Sequence, residues 1–118
     1  MTTTTTYHSP ADAIEEEPFT GFEQVLDGDP AARVAWLRTE SAGDGMLLAG
    51  MFSVQPSTFR YVFGGDETLY VLQGSCTIVP DGGAPVELHG NDVASFRKGT
   101  TSTWTVTSPL RKFFVISG

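Results

Sequence analysis

In Glu67-Thr68-Leu69-Tyr70-Val71-Leu72-Gln73-Gly74, the β-favouring Thr68, Tyr70 and Val71 lie between an acid and a glycine, and the run predicts a strand over 67–73. A strand's period of two puts Glu67 on one face with Leu69 and Val71, and Tyr61 and Phe63 of the preceding run share that face. Outward from this segment the pattern repeats, with short apolar runs bounded by turn residues. Strands are predicted near 32–39, 45–55, 58–63, 67–73, 75–79, 85–88, 93–97, 101–107 and 111–117, a spacing expected of a sandwich or barrel. Between 101 and 107, Thr101, Thr103, Thr105 and Thr107 alternate with Ser102, Trp104 and Val106, so one face is polar and the other semi-apolar. Pro80-Asp81-Gly82-Gly83 between two β-rich runs marks a hairpin, because glycine tolerates the positive φ of tight connections. There is no internal repeat, and no helical pattern long enough for a parallel crossover.

Length and charge narrow the function classes. A chain of 118 residues forms one domain and on folding buries about two-thirds of its surface, enough for a core without staples. Hydrophobic residues make up 40% and charged residues 18%, and no apolar run approaches the ~18 residues of a membrane-spanning helix. The net charge of −7 argues against a nucleic-acid footprint. Residues 1–59 carry nine acids and two bases, whereas residues 60–118 carry five of each. A lone Cys76 and a Thr-rich start without a basic, apolar leader give a cytoplasmic expectation.

Residues 1–20 read as an N-terminal arm and 21–118 as the barrel. The arm is Thr-rich, then acidic at Glu15, Glu16 and Glu17, then stopped by Pro18. Either it is a solvated tail or it packs on a partner subunit; a helical turn from Ala11 to Glu17, with Ser9 as N-cap, is expected within it. A homodimer with an exchanged arm strand is the partner expectation.

Glu67 to Gly74 resembles the second half of the first cupin motif. Asp92-Val93-Ala94-Ser95-Phe96-Arg97-Lys98-Gly99, followed by Trp104 and the Arg111-Lys112 pair, resembles the second motif. Together with Asp27-Gly28-Asp29-Pro30, the form is similar to that of the small single-domain cupins of the ureidoglycine aminohydrolase-like group. The resemblance implies an all-β fold, a cupin-type double-sheet jelly-roll barrel, which the strand pattern suggests independently. It also shows departures. Tyr61 and Phe63 stand where metal cupins carry His-x-His, and Ser102 stands where they carry a later histidine. Asn91 replaces the motif glycine and Arg97 the motif proline. Of the ligands the resemblance implies, Glu67 alone is present, so no stoichiometric metal, no cofactor and no manganese-assisted deamination are expected.

Glu67 and Tyr61 are therefore the candidate catalytic pair. Burying a carboxyl disfavours its charged form, as a general acid or base working near neutral pH requires; the structural alternative is a scaffold acid hydrogen-bonded to backbone or to the Tyr61 hydroxyl. Phe63, Ser102 and Trp104 are candidate walls of a small-molecule pocket, or plain core filling. Arg97 and Arg60 are candidates for an anionic ligand at the barrel mouth, the other bases reading as solvated. His8 and His89 read as surface residues and Cys76 as a small core residue. The function expected is a metal-independent enzyme acting on a polar metabolite by proton transfer, of isomerase, cyclase, decarboxylase or lyase type. The alternative is a non-catalytic ligand-binding or accessory protein.

Overall fold

The computed structural model describes residues 5–10, 14–43 and 45–118, and every regular element among them is a strand: β1 (Glu17–Pro18), β2 (Gln24–Gly28), β3 (Arg33–Ala42), β4 (Gly45–Val54), β5 (Ser57–Val62), β6 (Asp66–Pro80), β7 (Val86–His89), β8 (Val93–Phe96) and β9 (Thr101–Ser117). No helix among the described residues is long and apolar enough to cross a membrane. The pairings are antiparallel, and one path runs β1-β3-β4-β9-β5-β2. Strand β9 is the hub. Its first half pairs with β5 on one edge and β6 on the other, and its second half with β4 and β6. Hydrogen bonding on both edges curls the sheet on itself, and β6 then takes up β7 and β8. This is the all-β, jelly-roll arrangement expected from the strand pattern.

The alternation in 101–107 is followed as read: Ser102, Trp104 and Val106 are buried, while Thr105 and Thr107 are exposed. The hairpin at Pro80 is also present, with β6 pairing β7 through Ile78 opposite Val86. Elsewhere the structure differs. The expected strands 67–73 and 75–79 fuse into β6, and 101–107 and 111–117 fuse into β9. Gly74 and Pro109 are where sequence reading places the breaks, and they lie against each other. Gly74 has φ +89°, and any Cβ there would collide with the Pro109 carbonyl. The register slips between Val71 and Cys76, so both long strands bend together without ending. Gly74→Ala should therefore destabilise the fold by more than ~1 kcal/mol, read as a fall in the urea midpoint with an unchanged slope.

The arm's C-terminal part lies on its own barrel. Glu17 and Pro18 pair with Val34 and Arg33, Ile14 is buried against Ala35 and Met51 on the outer face of β3 and β4, and the Trp36 indole N–H donates to Glu17 Oε1 at 2.9 Å. Of the expected helical turn, residues 11–13 lie outside the described residues, and 14–17 are not helical because Glu17 is already in a strand. The main core fills the barrel and is rich in rings, including Phe59, Phe63, Phe96, Trp104 and Phe114.

Candidate active site

Strand parity delivers the side chains to one interior cavity. Phe59 and Tyr61 come from β5, Glu67 from β6, Phe52 from β4, Trp36 from β3, and Trp104, Lys112 and Phe114 from β9; Phe19 and Phe22 from the segment between β1 and β2 complete the wall. The cavity holds about 40 Å³, room for a few water-sized groups. At its side sits a buried ion pair. Lys112 Nζ donates to Glu67 Oε2 at 2.5 Å, and the two residues are 5% and 2% exposed. The ammonium is also ringed by Trp104, Phe52 and Phe114, with centroids at 4.8, 5.0 and 5.6 Å, so cation–π attraction supplements the carboxylate.

Glu67 Oε2 is engaged, but Oε1 has no hydrogen-bond partner among the described residues. Every sealed side-chain nitrogen and oxygen among them does have one, so Oε1 reaches the cavity. The Tyr61 phenol borders the same space, and burial together with the Glu67 charge pushes its pKa well above the usual phenol value. It therefore keeps its proton and presents a donor.

The other residues singled out in the sequence divide. Trp104, 2% exposed, lines the cavity and stacks on Phe59. Ser102 lies behind it, donating to the Tyr61 carbonyl and accepting from the Trp104 indole. Phe63 is buried but turned away from the cavity, stacked on Phe96 at 4.7 Å. Arg97 is exposed, in the turn where Thr100 N bonds its carbonyl. Arg60 lies on the outer face of β5, where it donates to both Asp81 oxygens at 2.8 and 2.7 Å and to Glu23. Cys76 is buried in the core, which pushes its thiol up to about 11 against the opposing charge of Lys112. His89 is exposed beside Asp92.

Lys112, expected in solvent with its neighbour, is the charged residue of the site that sequence reading misses. It reads as half of a charged pair, yet parity aligns it with Leu110, Phe114 and Ile116, and that alignment was the available signal.

The outer cluster supplies a pH test. Bonds from Arg60, then from the Thr101 hydroxyl, hold the Asp81 carboxyl far below its ordinary 3.8. A group depressed on folding stabilises above its unfolded pKa and loses that contribution as pH falls. Asp81→Asn should therefore melt below the unaltered protein at pH 7, with a gap that stays constant down to about pH 4 and closes below it; melting curves across pH 2–7 check this.

A metal of the kind cupin barrels hold would need several good donors converging on one point. Where the motif resemblance puts the ligands stand Tyr61, Phe63, Ser102 and Glu67; the serine hydroxyl is committed to the protein and the carboxylate already carries an ammonium. Among the described residues, no group of three or more His, Cys, Asp or Glu side chains is placed to hold an ion. This donor set does not fit a divalent transition metal.

Comparison with solved structures agrees on the fold. A protein assigned to ethanolamine utilization, EutQ, from Salmonella typhimurium aligns over 72% of this chain and 68% of its own, with 22% identity and a TM-score of 0.62. A DUF861 family protein of unknown function from Pseudomonas syringae aligns over 88% of this chain and 45% of its own, with 18% identity and a TM-score of 0.75. A DUF861 family protein from Thermotoga maritima aligns over 54% of this chain and 73% of its own, with 26% identity and a TM-score of 0.53. A comparison with curated proteins finds no match. The sequence profile of the EutQ-like cupin domain matches residues 41–114, which run from β3 through the Glu67–Lys112 pair. The chain belongs to the EutQ-like cupin domain family.

Proposed function

We propose that this cupin is a metal-independent enzyme that moves a proton on a small carbonyl compound, of the isomerase type. The observation that carries the reading is the Glu67–Lys112 pair, buried at 2.5 Å beside an aromatic cavity. A carbonyl oxygen near Lys112 Nζ takes a hydrogen bond from the ammonium, and Tyr61 can donate a second. Glu67 Oε1 then accepts the proton from the adjacent carbon: the C–H bond breaks, its electrons form the C=C of an enolate, and the carbonyl oxygen gains the negative charge that Lys112 offsets. In an α-hydroxy carbonyl compound the proton returns to the former carbonyl carbon, while the neighbouring hydroxyl passes its own proton to the first oxygen and becomes the new carbonyl; this completes an isomerisation with no oxidant or metal required.

The test uses the chemistry itself. Acetone, hydroxyacetone and pyruvate are incubated with the protein in D2O, and α-deuteration is followed by NMR. Exchange accelerated for at least one of them, and unchanged by a chelator, is the expected result; no acceleration, or loss on chelation, rejects the reading. The non-catalytic reading is favoured by one observation: the three rings and Glu67 already satisfy Lys112 without a ligand. A binder would show thermal stabilisation by such compounds without exchange.

A further inference from the structure

Phe19 and Phe22 border two spaces at once. On the inside they line the cavity that holds Glu67 and Lys112. On the outside they line a surface groove of about 320 Å³, together with Pro18, Val25, Pro30 and Ala32. Among the described residues the two rings are the only side chains shared by both linings, so they stand between groove and cavity.

The segment that carries the two rings is fastened at its ends. Phe19 N is fastened to the Ala32 carbonyl and Glu23 N to the Arg60 carbonyl, both at 2.9 Å. Between these fasteners, residues 20–22 make no backbone hydrogen bond among the described residues. Phe19 meets Phe22 at 5.2 Å and Phe52 at 5.4 Å edge-on, contacts that a rotamer change can exchange, while Phe22 leans on the buried Phe59 at 4.3 Å. Gly21 lies directly behind the ring, where a Cβ would sit 2.7 Å from the tip of Phe19. A methyl group at this position would force the ring tip to move.

We propose that Phe19 and Phe22 are the specificity gate of this site. The outer groove is its vestibule, and swinging the rings aside joins groove to cavity, admitting small planar molecules one ring-width thick. This rests on the reading of the inner cavity as the place where ligand binds, but the test needs no turnover.

Trp104 borders the inner cavity and is 2% exposed, and Trp36 is the other of the chain's two tryptophans. In a Trp36→Phe background, Trp104 fluorescence reports on entry of acrylamide, itself a small planar amide. Quenching should be weak with both rings in place and rise several-fold with Gly21→Ala, and further with Phe19→Ala/Phe22→Ala, while near-ultraviolet circular dichroism stays native. Phe63→Ala removes a ring 6.3 Å from Trp104 that does not line the cavity, and it should leave quenching low. Unchanged quenching in folded Gly21→Ala overturns the gate, and so does an equal rise in Phe63→Ala, which would mean general loosening. If the double substitution does not fold, the single added methyl at Gly21 decides. A protein that gates acrylamide but exchanges no α-proton keeps this inference and loses the enzymatic one.

Discussion

Lys112→Met should lower stability by ~3–5 kcal/mol, because it leaves the Glu67 carboxylate buried without its counter-charge. For a domain of this size that is a melting temperature lower by on the order of 10–20 °C. The same substitution strips the cation from Trp104, Phe52 and Phe114, although methionine retains favourable contact with rings. Adding Glu67→Leu should recover most of the loss, since an apolar pair of similar volume commonly equals or exceeds a buried ion pair in stability. Thermal and urea unfolding of the two single variants and the double variant close the cycle. A Lys112→Met protein as stable as the original would mean that the pair does not form in solution.

Glu67→Gln should cost at least ~10²-fold in α-proton exchange per folded molecule, the lower end of what a positioned proton-transfer group supplies. Glutamine keeps the shape and can still accept from Lys112, so the fold should survive with a smaller penalty, about 1–3 kcal/mol for an imperfectly satisfied buried group. Rate and stability then separate two roles. A carboxyl that only holds Lys112 in place would shift the melting temperature and leave exchange per folded molecule intact. A carboxyl that takes the proton would do the reverse in proportion. Equal exchange in a stable Glu67→Gln protein would remove Glu67 from the chemistry and leave Tyr61 and Lys112 as the cavity's titratable candidates.

The fold was legible where packing imposes a strict period. Thr101 to Thr107 alternates because one face meets the core and the other water, and the same rule placed Glu67 inward with Leu69 and Val71. It was not legible where that contrast vanishes. Strand β2 is exposed along its whole length, with Val25 and Leu26 both in solvent and a register slip between Val25 and Asp27. An edge strand paired on one side has no buried face to write an alternating pattern. Strand β1 is two residues long and owes its place to Trp36, which bonds Glu17, and to Ile14 before it, which is buried on Ala35 and Met51; both contacts exist only in the folded chain. Within the site, the acid was legible and its cation was not. A lysine next to an arginine is read as a solvated pair, and only a partner contributed by β6, 45 residues earlier in the chain, makes its burial affordable. The aromatic partition was hidden for a similar reason, since Phe19 and Phe22 fall in the stretch read as the end of an arm and the start of the barrel.

Strand β9 has a consequence for how the protein comes into being. It joins β4, β5 and β6, so the sheet cannot curl shut until residues 101–117 are available to all three. Those partners are separated from it by dozens of positions, and each pairing must overcome a long loop closure before it gains any contact energy. Folding should accordingly be slow for a domain of this size. On the ribosome, the earlier strands emerge without the wall that unites them and expose apolar edges until the last strand arrives. Lys112 and Trp104 travel on that last strand, so closure of the barrel and creation of the charged, ring-lined interior are a single late event.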